Sequence, residues 1–326
     1  MELYEGKKVL VTGGAGSIGQ EIVRSLTASK CAQIRVLDTN ETGLFELENR
    51  LKCDKLRLFI GDIRDKDRLS RAMEDVDVVF HAAALKHVPL CEYNPFEAAK
   101  TNVLGTQNAI DCAIDNDVDR FIMISTDKAV NPSNVMGATK LLAERLTLAA
   151  NYHKGGRRSK FSVVRFGNVL NSRGSLLTTL KQQIEAGQDV TLTHKDMTRF
   201  VMSIEEAVSL VLSAGTKGEG GEIFILKMDA LRIADLIRVI AEDLGKKHEH
   251  KVKVRTIGIR PGEKLYEELL TEDESLLVED IGEMYVLRPG ARTSAGWKKV
   301  VYNSQDCKFL TDAQIRKKLK EIGYLE

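Results

Sequence analysis

Three groups of residues in this chain have the types and spacing to do chemistry. Ser125-Thr126-Asp127-Lys128 closes an apolar run and sets a carboxyl beside an ammonium, a pair able to act as acid and base once its surroundings tune it. Further on, Met136 and Lys140 stand four apart in a helical pattern and so share one face. Near the N-terminus, Gly13, Gly16 and Gly19 recur three apart between a short apolar run and another helical pattern. There Gly13 permits a sharp turn, Gly16 lets the backbone approach a pyrophosphate, and Gly19 lets helix and strand pack closely. The helix start, with Ser17 and Ile18, offers free N–H groups and a positive dipole. Asp38 ends the next apolar run at the offset of a carboxylate that accepts from both ribose hydroxyls. Thr39 and Asn40 follow it with no Arg to receive a 2′-phosphate, so the pattern favours NAD over NADP.

These groups need a scaffold that brings strand ends to one edge. Apolar runs at 8–12, 34–37, 55–60, 77–81, 120–124 and 161–165 alternate with helical patterns, the clearest at 95–116 and 135–153. Repeated strand–helix units predict an α/β fold, a Rossmann doubly wound parallel sheet whose ligands lie beyond the carboxyl ends of its strands. After Asn168 the alternation becomes irregular. Residues 175–186, 204–213, 230–244 and 264–270 read as helices, and 190–192, 222–226 and 252–254 as strands. The expected division is an NAD-binding domain over 1–169 and 203–227 and a smaller, C-terminal substrate-binding lobe over 170–202 and 228–326.

Composition removes several classes. With 48 basic and 47 acidic side chains among 326 residues, the net charge of +1 gives no footprint for nucleic acid. No apolar run approaches the roughly 18 residues of a membrane span, and the start Met-Glu-Leu-Tyr-Glu-Gly-Lys-Lys is no leader, so a cytoplasmic protein without a membrane partner is expected. Cys31, Cys53, Cys91, Cys112 and Cys307 are odd in number and widely spaced, which suggests neither a disulfide framework nor a metal site. The charged runs at 246–251 and 316–318 read as solvated faces.

Six segments carry a resemblance to a known family. They are Thr12-Gly13-Gly14-Ala15-Gly16-Ser17-Ile18-Gly19, Gly61-Asp62-Ile63-Arg64-Asp65, the alanine-rich His81-Ala82-Ala83-Ala84-Leu85-Lys86-His87-Val88-Pro89, Ser125-Thr126-Asp127-Lys128-Ala129, Arg165-Phe166-Gly167-Asn168-Val169 and Arg260-Pro261-Gly262-Glu263-Lys264. Together, over nearly the whole chain, they resemble the extended short-chain dehydrogenase/reductases, and within them the UDP-N-acetylglucosamine 4,6-dehydratases of polysaccharide biosynthesis.

The resemblance implies that Asp62 and Ile63 contact adenine, that Ala82, Ala83 and Ala84 line the cofactor with Asn102 beside them, and that Lys140 binds the nicotinamide ribose. It implies that Thr126 hydrogen-bonds the sugar 4-hydroxyl, that Lys128 removes the C5 proton after C4 is oxidised, and that Asp127 protonates the departing 6-hydroxyl. Arg199 and Arg260, with Glu263, are candidates for the UDP pyrophosphate, because guanidinium groups grip phosphate bidentately. Asn168 and Arg173 are candidates for the nucleotide sugar. Lys86 and His87 read either as phosphate or sugar contacts or as a structural loop.

One position departs from the wider superfamily: its Tyr-x-x-x-Lys becomes Met136-x-x-x-Lys140, and a thioether takes no proton from a hydroxyl. Asp127, Lys128 or a water must do so. The same Met marks a dehydratase subgroup whose larger members carry membrane segments, so the resemblance implies a stand-alone version of their catalytic domain. It also implies a homo-oligomer paired through helices 95–116 and 135–153. A nucleotide-sugar epimerase and a non-catalytic NAD-binding protein are the alternatives; the first needs no acid at O6 and the second no Asp127-Lys128 pair.

Overall fold

The computed structural model describes residues 4–247, 252–289 and 299–325. Its first half alternates β1 (Lys8–Thr12), α1 (Ser17–Thr27), β2 (Gln33–Asp38), α2 (Glu41–Leu51), β3 (Leu56–Ile60), α3 (Lys66–Met73) and β4 (Val78–His81). There follow α4 (Val88–Tyr93), α5 (Pro95–Ala99), α6 (Gly105–Asp115), β5 (Arg120–Thr126), α7 (Val135–His153) and β6 (Lys160–Phe166). The second half holds β7 (Asn168–Val169), α8 (Leu176–Glu185), β8 (Val190–Leu192), β9 (Thr198–Met202), α9 (Ile204–Lys217) and β10 (Ile223–Leu226). It ends with β11 (Asp229–Arg232), α10 (Ile233–Lys247), β12 (Val254–Thr256), β13 (Val278–Asp280), β14 (Met284–Leu287) and α11 (Asp312–Glu321).

The main sheet has nine strands in the order β13-β14-β10-β6-β5-β4-β1-β2-β3. From β3 to β10 all neighbours pair in parallel, and the strand order reverses between β1 and β4, where a doubly wound sheet opens a crevice. Its central strands are mostly apolar because helices cover both faces: α1, α2 and α9 bury Ile22, Leu44 and Val211 on one side, and α3, α6 and α7 bury Leu69, Ile110 and Ala143 on the other. A third core joins Leu177 and Leu180 of α8, Leu236 and Ile240 of α10, and Ile315 and Leu319 of α11 over β8.

Four departures from the sequence reading have structural causes. Residues 278–287, assigned to the smaller lobe, instead add β13 and β14 to the main sheet, β14 running antiparallel to β10. The expected helix at 230–244 begins only at Ile233, because Asp229–Arg232 pairs with β9 as strand β11. The expected helix at 264–270 does not form, since tertiary partners take its backbone: Lys264 O accepts from Arg199 (2.9 Å), Leu265 O from Thr198 N (3.0 Å), and Leu269 N donates to Tyr302 O (3.1 Å). The predicted helix 95–116 is interrupted by a π turn over Lys100–Leu104, whose extra residue turns Asn102 inward. Of the charged runs, 248–251 lies outside the described residues; Arg316 and Lys318 are not merely solvated but tie α11 to Glu242, Asp243, Glu206 and Asp229.

Candidate active site

Two adjoining cavities open at the carboxyl edge of the sheet. The first is a groove of about 750 Å³ over the β1–α1 turn, lined by Gly13, Gly16, Ser17, Ile18, Gly19, Asp38, Asp62, Ile63 and Ala82–Ala84. Gly13 has φ +69°, and a Cβ there would stand 2.6 Å from Ala83 N, so only glycine fits between β1 and the loop after β4. A Cβ on Gly19 would strike Gly13 O at 2.3 Å, and one on Gly16 would crowd the same oxygen at 3.2 Å. Gly16 caps α1 without a side-chain bond, leaving the helix N-terminus to the groove. Asp38 at the end of β2 accepts from Ala15 N and Asn40 N (2.9 Å each), which fixes its carboxylate at the groove wall. Asp62 is clamped by Arg64, whose hydrogen bonds hold its carboxyl below the usual range. A glycine cradle at a helix N-terminus plus a fixed carboxylate fits the pyrophosphate and ribose of NAD.

The second cavity, about 360 Å³, is lined by Thr126, Lys128, Met136, Lys140 and Asn168, with Lys86 and His87 shared between the two. Thr126 ends β5 and donates to Asp127 Oδ1 (2.7 Å), which also accepts from Lys128 Nζ (2.9 Å). Lys128 Nζ further donates to Asn168 Oδ1 (3.3 Å) and lies 3.6 Å from Glu267 Oε1. The turn carrying this cluster is pressed onto α7, where a Cβ on Gly137 would collide with Lys128 O. Burial works against the charge of Lys128, but the Asp127 and Glu267 carboxylates outweigh it and its pKa is raised. Glu267 is raised too, by burial and by Asp127, against the pull of Lys128, Arg199 and Lys264. Lys140, buried and donating to Ile124 O (2.6 Å), is pushed down to about 8 by that burial, with Glu144 resisting. Met136 is also buried and packs with Cys91 and Ala98, so the wall facing this cluster is apolar.

Several residues expected at the site stand elsewhere. Asn102 does not reach the groove: its amide exchanges both hydrogen bonds with Leu85 (2.8 and 3.0 Å) and donates to Thr139, tying the loop after β4 to α7. Arg199 is buried and donates to the carbonyls of Thr198 (2.7 Å), Lys264 and Leu265, so its guanidinium is spent on backbone rather than presented to a phosphate. Arg260 is exposed outside both cavities, and Glu263 caps its backbone N–H (3.2 Å). Their segment docks on the loop before α7, Gly262 O accepting from Ser133 and Asn134 and Lys264 Nζ donating to Val130 O. Arg173 lines the dinucleotide groove, its N–H on Ser17 Oγ (2.9 Å) and its guanidinium on Ala15 O (3.2 Å). Lys86 donates to Arg173 O (2.9 Å), and the His87 ring lies against Gly174.

Sequence reasoning missed Glu267, and also the buried Glu144–Arg165–Glu274 triad behind the site, in which Arg165 bonds both carboxylates (2.7 and 2.9 Å). Glu267 follows Arg260-Pro261-Gly262-Glu263-Lys264 closely, and that docked motif is the signal that could have flagged it.

A parallel sheet with this glycine cradle, a fixed carboxylate after β2, and Thr-Asp-Lys after β5 opposite a helix lysine defines an extended short-chain dehydrogenase/reductase with an NAD site. The chain belongs to the polysaccharide biosynthesis protein family, whose model matches residues 9–289. It is 62% identical over 99% of its length, and 98% of the relative's, to a Methanocaldococcus jannaschii protein described as an uncharacterized membrane protein. Among the described residues of the present chain no helix is long and apolar enough to cross a membrane. A UDP-N-acetylglucosamine 4,6-dehydratase (inverting) of Campylobacter jejuni is 43% identical over 89% of this chain and 85% of its own. A UDP-glucose 4-epimerase of Rickettsia canadensis is 37% identical over 99% and 98%. The X-ray structure of Pen from Bacillus thuringiensis superposes with a TM-score of 0.93 over 98% of each chain at 41% identity.

Proposed function

We propose that this chain is an NAD-dependent 4,6-dehydratase that converts UDP-N-acetylglucosamine to a UDP-4-keto-6-deoxy-N-acetylhexosamine. NAD, when bound, accepts a hydride from C4 and returns it to C6. The protein's own residues handle the protons. Thr126 Oγ accepts the 4-hydroxyl proton while passing its own to Asp127 Oδ1, along the 2.7 Å hydrogen bond between them. This relay does what the thioether of Met136 does not. The C4 ketone acidifies C5; Lys128, once neutral, takes the C5 proton, and Asp127 delivers its proton to the departing 6-hydroxyl. Lys128 then returns a proton to C5. The net loss is one water, built from the 6-hydroxyl and the former 4-hydroxyl proton.

The observation that carries this reading is the acid–base pair itself: Asp127 and Lys128 held 2.9 Å apart at the sugar cavity, a pair for which 4-epimerisation has no use. The test is incubation with UDP-N-acetylglucosamine in deuterated water, followed by proton NMR. A C6 methyl singlet with deuterium at C5 is expected. Asp127→Asn should slow methyl formation at least ~100-fold, the scale of a lost general acid. Appearance of the galacto isomer alone would replace elimination by epimerisation.

A further inference from the structure

Glu267 is a buried carboxylate beside Lys128, behind the wall of the reaction cavity, that the proton transfers above leave unused. Its backbone is clamped at both ends: N–H to Ser304 Oγ (2.9 Å) and C=O from Ser304 N (2.8 Å), with Ser304 itself bonded to Thr198 Oγ (2.8 Å). The side chain is therefore aimed, not loose. Oε1 lies 3.6 Å from Lys128 Nζ and 3.8 Å from Arg199 Nε, and Oε2 is buried without a hydrogen-bond partner among the described residues, as is Asp127 Oδ2. An acid kept only for structure would have both oxygens bonded.

We propose that Glu267 is a positioning residue whose carboxylate keeps the proton on Lys128 and so decides when Lys128 becomes a base. The groups facing it are Asp127 and Lys128 from the turn after β5, Arg199 from β9 and Lys264 from its own segment. Lys128, Arg199 and Lys264 are the cations that face the two carboxylates, and the Lys128 ammonium donates to Asp127 and Asn168 and forms an ion pair with Glu267 at 3.6 Å. The lysine is thus an ammonium before the reaction begins. It releases its proton only above a pH that the second carboxylate raises, and that same grip restores the proton-bearing form required to reprotonate C5. The catalytic meaning of this arrangement rests on the dehydratase reading; the electrostatic claim does not.

Glu267→Gln keeps the shape and removes the charge. An opposite charge at this range moves a pKa by about 1–3 units, so the variant should move the acid limb of the kcat profile down by that amount. Acetylation of Lys128 by acetic anhydride, quantified by mass spectrometry against pH with no substrate present, should shift equally. Glu267→Asp, which withdraws the charge by one methylene, should give a smaller downward shift and carries the test if the Gln variant does not fold. A uniform loss of rate with limb and labelling unmoved in either folded variant would overturn the proposal. A labelling shift in a protein whose wild type makes no keto-deoxy sugar would uphold the electrostatic role and overturn the dehydratase reading instead.

Discussion

Replacing Lys140 by Met should stabilise the ligand-free protein at neutral pH while stopping turnover, and the stabilisation should reverse in alkali. Burial lowers the Lys140 pKa from 10.5 to about 8. At about 1.4 kcal/mol per pH unit, holding this ammonium charged in the fold costs about 3 kcal/mol below pH 8. The sign follows from which state binds more protons. Between about 8 and 10.5 the unfolded chain keeps the proton that the fold has lost, so wild-type stability rises with pH, and above 10.5 the cost is gone. Methionine escapes the cost but gives up the donor to Ile124 O, worth about 1 kcal/mol. The net gain is about 2 kcal/mol at pH 7, changing to a loss of about 1 kcal/mol near pH 10.5. With an unfolding entropy of ~2.1 cal/mol/K per residue, about 0.7 kcal/mol/K for this chain, the gain raises Tm by about 3 °C. Thermal unfolding of both proteins, stripped of NAD, at pH 7, 9 and 10.5 provides the comparison. A Met variant no more stable than wild type at pH 7, or a difference constant across pH, would refute the reasoning.

Two further outcomes follow from the same geometry. Arg165→Met leaves the Glu144 and Glu274 carboxylates buried without their cation, which should cost about 3–5 kcal/mol and lower Tm by roughly 4–7 °C; adding Glu144→Gln and Glu274→Gln should recover most of it, as differential scanning calorimetry would show. Arg173→Ala should weaken NAD retention about 10-fold, the worth of a charge-assisted contact, while KM for the UDP-sugar stays within about twofold; titration of the stripped protein with NAD distinguishes this from a sugar-binding role.

What could be read from the sequence was whatever local rules decide. β1 to β6 are continuous apolar runs because both faces are covered, and the cradle at Gly13–Gly19, Asp38, Thr126, Asp127, Lys128 and Lys140 sit where strand ends or one helix face must put them. The rest depends on partners distant in the chain. Arg199 looked like a phosphate ligand because nothing near it in sequence shows that Lys264 and Leu265 take its donors. Glu267 sat within a predicted helix as one more polar residue, and only the docking of 262–264 onto 130–134 turns it toward Lys128. Asn102 was misplaced because a π turn, which periodicity does not reveal, rotates it off the groove. β11 merged with α10 because Ala230 and Ile233 continue the helical spacing of Leu236 and Ile240 backward.

The order of strands also fixes an order in time. Six neighbours, β3-β2-β1-β4-β5-β6, are complete within residues 8–166 and already hold the glycine cradle, Asp38 and Lys140. Glu267 and the Ser304 that clamps it are synthesised later, on the order of ten seconds after Lys128 at usual elongation rates. The strands that carry the cradle and Asp38 are therefore made before the residues that complete the proton chemistry. Because a ligand that binds only the folded form stabilises it by mass action, any dinucleotide held by that first half would favour its parallel sheet while the C-terminal third is still to come.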